Sequence, residues 1–195
     1  MNQVNNQVKI MTNTIKKKRA ALFFILGIAF ISVWLTGCSK DKNEEALKVV
    51  LEQMYNCPDN ELIELSNQIT QADGIEIAPG LYSLENTDYF KKILELYQPY
   101  FSEKGLESFL NRAYPSVYHS DAEDNGYITK VEKIEVTRNK KIKTNYAFTV
   151  YLNYVPKEGD SQDIEINGSA QFAEEEGKIT FIQFFDDLMR LIADK

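Results

Sequence analysis

Ile142-Lys-Thr-Asn-Tyr146-Ala-Phe148-Thr-Val150-Tyr-Leu152-Asn-Tyr154-Val155 decides the fold class. Tyr146, Phe148, Val150, Leu152 and Tyr154 take every second position, which sets them on one face of a long β-strand. Upstream, Tyr127–Thr137 alternates in its latter part through Ile134 and Val136, and Arg138–Lys141 is a polar turn. Downstream, Pro156–Gln162 turns through Gly159-Asp160, and Asp163–Ala173 reads as the next strand. Asn167-Gly168 within it predicts a bulge. Glu174–Gly177 turns again. Lys178–Phe185 is apolar on both faces, so that strand is central or covered. A short last helix starts at Asp186 or Asp187 and runs through Leu191.

Ahead of the strands the period changes. Leu47, Val50, Leu51 and Met54 recur at helical spacing in Glu44–Asn56. Pro58 breaks that helix, and Asp59 caps a second one through about Gln71, with Leu62, Ile63, Leu65 and Ile69 on its apolar face. Ala72–Asn86 reads as a loop. Thr87 caps Asp88–Tyr97, Pro99 ends it, and Ser102–Arg112 is a fourth helix. Pro115 closes the helical half. Helices first and a meander of about four strands after them predict an α+β domain, with N-terminal helices packed on a curved antiparallel sheet.

The chain opens differently. Lys16-Lys-Lys-Arg19 precedes an apolar run, Ala20–Leu35, followed by Thr36-Gly37-Cys38. A basic region, an apolar region and a small-residue exit describe a secretory leader. The run of about 16 residues falls short of the roughly 20 that span hydrocarbon comfortably. Leu35-Thr36-Gly37-Cys38 resembles a bacterial lipobox, which implies cleavage between Gly37 and Cys38 and a diacylglyceryl group on the Cys38 thiol. Two acyl chains hold a protein stably where one does not. The expected organisation is a signal peptide at 1–37, a lipidated tether at 38–43 and one α+β domain at 44–195, on the extracytoplasmic face of a bacterial membrane. Met11 begins a more ordinary leader than Met1, and the mass of an unprocessed precursor decides between them.

Residues 1–37 hold five basic and no acidic residues, so the remainder has 17 basic against 29 acidic residues, a net charge of −12. That balance makes nucleic acid a poor candidate partner, since phosphate binding rests on Lys and Arg, and as a whole it predicts repulsion from anionic lipid headgroups and wall polymers. With Cys38 lipidated only Cys57 remains, which excludes an intramolecular disulfide and reads as a buried core residue.

The element order, together with Tyr97-Gln98-Pro99-Tyr100-Phe101-Ser102-Glu103-Lys104-Gly105-Leu106, resembles the nuclear-transport-factor-2-like (cystatin-like α+β cone) superfamily over about Glu44–Leu191. The quoted stretch is similar to a helix–turn–helix passage in Gram-positive lipoproteins of this type. The resemblance implies a cone of sheet wrapped around helices. It does not choose a function, because the superfamily includes enzymes, ligand-binding pockets, oligomerisation modules and membrane-tethered channel subunits.

Few residues suggest chemistry. Asp121, Glu123, Asn125, Tyr127 and Glu132, with Gly126 at the turn, match the spacing of an EF-hand calcium loop, though Pro115 and the strand-like Ile134-Glu-Val136 flank it wrongly. His119, the sole histidine, reads as a residue on a solvated loop. Asp186-Asp187 reads as a cap pair, and as a proton-transfer site only if enclosed in a cone. Tyr146, Tyr151 and Tyr154 are candidates for a pocket mouth or an interface, since a tyrosine hydroxyl seeks a partner. Walker, GxSxG, HExxH, CxxC and Rossmann patterns are absent. The expectation is a non-enzymatic accessory or assembly lipoprotein that binds another protein and needs no cofactor beyond its lipid. The alternatives are a small-molecule or peptide binder, a proton-transfer enzyme of the same fold, or a weak calcium site at 121–132.

Overall fold

The computed structural model describes residues 41–73, 86–112, 114–174 and 177–193. The leader, Gly37 and Cys38 lie outside the described residues, as does most of the expected loop at 72–86. The chain divides into Met1–Lys40 and Asp41–Lys195, and the second unit has one contiguous core of its own. That is the physical requirement for a domain that folds alone.

Helix α1, Lys42–Tyr55, starts where Asp41 accepts hydrogen bonds from the backbone N–H groups of Asn43 (3.0 Å) and Glu44 (3.4 Å). The domain therefore begins a little before Glu44, because its first helix carries its own cap. Leu47, Val50, Leu51 and Met54 are fully buried along it. Asp59, Thr87 and Ser102 cap the next three helices as their residue types predict: α2 (Asn60–Asp73), α3 (Asp88–Tyr97) and α4 (Glu103–Asn111). A 3-10 turn, Gln98–Tyr100, links α3 to α4.

The helical half does not close at Pro115. Helix α5 runs Tyr114–Asn125, with Pro115 in its first turn, where a missing backbone N–H leaves no intrahelical bond unmade. Its low amphipathicity hides it in the sequence, yet Tyr118, His119 and Ala122 are all buried.

Strands β1 (Ile128–Arg138), β2 (Asn145–Val155), β3 (Gln162–Phe172) and β4 (Ile179–Phe184) form one antiparallel meander in that order, and α6 (Leu188–Ala193) follows. β2 starts at Asn145, not Ile142, because the Asn139 side chain organises a longer turn by accepting from Lys141 N and Ile142 N. Tyr146, Phe148, Val150, Leu152 and Tyr154 all face the core. No register shift occurs at Gly168. The glycine pairs with Phe148, and a Cβ there would overlap the Phe148 ring and the Gln183 carbonyl. The register shifts fall instead between Val131 and Lys133 and between Gln171 and Phe172.

β4 is an edge strand that is covered. Phe101 forms a parallel bridge with Ile179, and Ser102 N donates to the Ile179 carbonyl at 2.9 Å. Helix α4 lies so close that a Cβ on Gly105 would overlap that carbonyl oxygen.

Candidate functional site

The core face of the sheet is filled. Tyr55 stacks on Tyr118 with centroids 5.3 Å apart and meets Phe184 edge-on at 5.9 Å. Phe184 also takes Tyr114 and Phe148 edge-on. Tyr97 and Phe101 close on Phe109 from α3 and the following turn. Two hydroxyls inside this packing, those of Tyr55 and Tyr97, have no hydrogen-bond partner among the described residues. The Tyr55 hydroxyl lies near that of Tyr118 without reaching hydrogen-bond geometry. Burial pushes both phenols well above their ordinary value.

His119 is not on a solvated loop. It is 2 % exposed on α5. Its Nδ1 accepts from Asp59 N at 3.0 Å, so the proton sits on Nε2, which donates to the Gln53 carbonyl at 3.1 Å. The ring pins α5 to the end of α1 and the start of α2. Burial lowers its pKa, and the Gln53 bond and the charge of Asp59 offset that only in part. Cys57 is buried as expected and donates its thiol to the Met54 carbonyl, and burial pushes its pKa up to about 12. Neither group is placed to act as nucleophile or base.

The EF-hand loop at 121–132, an alternative on spacing alone, does not form, and neither does an acidic turn over all of it. Asp121, Glu123 and Asn125 lie in the last turn of α5, and Glu132 sits at the register shift of β1. Asp121 is occupied within the chain: Oδ1 accepts from Asn125 Nδ2 at 3.0 Å, and Oδ2 accepts from the Tyr127 hydroxyl at 2.7 Å. No group of three or more His, Cys, Asp or Glu side chains among the described residues is placed to hold a metal ion. The helix that Pro115 starts consumes the residues that would have formed the loop.

The three candidate tyrosines are separated. Tyr146 and Tyr154 are buried on the core face, eight residues apart along β2, or about 26 Å. Tyr151 is on the opposite face, where its hydroxyl donates to Glu135 at 3.2 Å. Tyr154 packs on Tyr127. Tyr146 instead anchors the start of the domain: its hydroxyl donates to Asp41 Oδ2 at 2.8 Å and accepts from Asn43 Nδ2 at 3.3 Å. Arg138 stands over the Tyr146 ring at 5.7 Å and 3.8 Å from Asp41 Oδ2. Asp186 binds Asn167 through its backbone and side-chain N–H groups, and Asp187 caps α6. Both aspartates are spent on structure.

A concavity does exist, on the outer side of the helical layer. Phe90, Leu94, Phe101, Leu106 and Leu110 wall a groove of about 650 Å³ between α3 and α4, with Gln98, Glu103, Glu107 and Lys178 on its rim. Lys178 Nζ donates to the Pro99 carbonyl at 3.0 Å. The sequence shows that α3 is amphipathic. It does not show that Tyr89, Phe90, Ile93 and Tyr97 are buried while half-buried Leu94 borders a groove. No helix among the described residues is long and apolar enough to cross a membrane.

No family model matches the chain, and no curated protein matches it. Two solved structures do, each described as a "putative polyketide cyclase". The one from Xanthomonas campestris pv. campestris is 15 % identical with TM-score 0.34, covering 68 % of this chain and 97 % of that one. The one from Pseudomonas putida KT2440 is 14 % identical with TM-score 0.34, covering 53 % of this chain and 86 % of that one. Likenesses of this size assign neither a family nor an activity.

Proposed function

We propose that this chain is a bacterial lipoprotein, held on the extracytoplasmic face of a membrane through Cys38. On this reading its α+β domain is a non-enzymatic accessory module that binds another protein in the groove between α3 and α4. The anchor rests on Leu35-Thr36-Gly37-Cys38 at the leader's exit. Binding rests on the groove, whose size lies in the range of ligand sites and whose apolar floor suits one face of an amphipathic segment. Glu103 and Glu107 line it, and Lys178, the one cation among its described lining residues, is engaged by a backbone carbonyl. The occupant that matches this charge is a segment with apolar anchors flanked by Lys or Arg.

The nuclear-transport-factor-2-like resemblance supplies the same order of helices and strands but does not choose among functions. The filled core and the engaged His119 support binding over catalysis.

The test is photo-crosslinking in cells from a benzophenone amino acid at Leu94. A cross-link to one defined envelope protein, lost when the exposed Glu103 and Glu107 are changed to Lys, supports the reading. A cross-link only within the chain, to residues 74–85 between α2 and α3, or none at all, contradicts it.

A further inference from the structure

The positive charge of the domain is unevenly placed. Arg138, Lys140, Lys141 and Lys143 fall within six residues that contain no acid, in a region of net charge −12. They form the β1–β2 turn, and all four are exposed. The turn has a fixed geometry. Asn139 Oδ1 accepts from Lys141 N (2.9 Å) and Ile142 N (3.0 Å), and Arg138 Nε donates to the Lys143 carbonyl at 2.7 Å. Ile142 is 54 % exposed, with a cation on either side.

The location of this turn points to what it meets. Cys38 lies three residues before Asp41, a reach of about 11 Å at most. Asp41 is tied to the two strand ends that enter the turn, through the Tyr146 hydroxyl at 2.8 Å and Arg138 at 3.8 Å. A lipid on Cys38 therefore brings this turn to the bilayer. We infer that the β1–β2 turn is a second membrane contact, in which Arg138, Lys140, Lys141 and Lys143 meet anionic lipid headgroups and Ile142 enters the interface. The inference rests on Cys38 being the anchor. Basic side chains gain from an anionic surface only within about a Debye length, and the short tether meets that condition.

The β3–β4 turn lies at the same end and carries Glu174, with glutamates also at 175 and 176. Its Gly177 N–H donates to Asn43 Oδ1 at 2.6 Å, so the two turns flank the first turn of α1. An anionic surface attracts one and repels the other, and the domain leans onto its β1–β2 edge.

The test couples residues 38–195 through Cys38 to a maleimide lipid in vesicles, and the buried Cys57 does not compete. Trp34 is the sole tryptophan and precedes Cys38, so Ile142→Trp gives a single reporter. Brominated lipid should quench that variant about twofold or more in vesicles with roughly 30 % phosphatidylglycerol. The quenching should vanish in pure phosphatidylcholine, in high salt, and with Lys140, Lys141 and Lys143 changed to Glu. Phe185→Trp, exposed just beyond the far end of β4, should stay unquenched. No quenching on anionic vesicles, equal quenching on neutral ones, or equal quenching of Phe185→Trp would each overturn the inference. Because the tether is installed chemically, these results do not depend on lipidation in the cell. Metabolic labelling of Cys38 with a palmitate analogue reads that separately.

Discussion

The Tyr146 hydroxyl donates to Asp41 Oδ2 at 2.8 Å, across 105 positions of sequence. The same carboxylate caps α1 through its other oxygen. One aspartate thus fixes both the start of the first helix and its seat on the sheet, at the point where the tether enters the domain.

Asp41→Ala removes a helix cap and leaves the Tyr146 hydroxyl short of its acceptor. Loss of a cap alone costs about 1 kcal/mol, within about 0.5–2. Tyr146→Phe removes only the bond, at about 1 kcal/mol. Urea denaturation of both single variants and the double variant should give a coupling energy of about 0.5 kcal/mol or more. Strict additivity would show that the bond carries no weight.

His119 makes stability depend on pH. Its folded pKa is lowered from an ordinary value near 6.5 because the ring is buried. The unfolded chain therefore takes up a proton first as pH falls. The His119 contribution is complete above the unfolded value and is lost as pH drops toward the folded one. The denaturation midpoint should fall between about pH 7 and about pH 5, and His119→Gln should start lower and show a flatter slope in that window. A slope unchanged by the substitution would contradict the assignment.

Gly168 and Gly105 are set by close approach. A Cβ on the first would overlap the Phe148 ring, and one on the second the Ile179 carbonyl. Each Gly→Ala substitution should cost about 1–3 kcal/mol, the usual range for overpacking. Neither cost is relieved by a side chain turning away, because each Cβ also meets a backbone carbonyl, that of Ile179 at Gly105 and that of Gln183 at Gly168. A loss below about 0.5 kcal/mol at either site would contradict the packing.

The Tyr97 hydroxyl is buried without a partner among the described residues. Tyr97→Phe should be neutral or should raise stability, by up to about 1 kcal/mol, because it deletes an unpaired polar group. A clear loss of stability would show that the hydroxyl is paired in solution.

Much of the fold was legible because its signals are local. The alternation in Tyr146–Tyr154 and the caps Asp59 and Thr87 required only neighbours in the chain. Helix α5 was not legible: it buries Tyr118, His119 and Ala122 on a short face, and Pro115 looks like a stop where it is a start. The same misreading kept the EF-hand spacing at 121–132 open as an alternative, where Asp121, Glu123 and Asn125 are helical. The reason for Gly168 lies in its cross-strand neighbour Phe148, which no local pattern reports. The groove beside Leu94 depends on which side of α3 its neighbours leave uncovered.

The most direct measurement is the intact mass of the protein extracted from the membrane fraction of its own cells. The account predicts a chain beginning at Cys38 and heavier by a diacylglyceryl group, with Cys38→Ala left uncleaved or released from the membrane. A wild-type chain that keeps residues 1–37, or that begins at Cys38 without lipid, would contradict it.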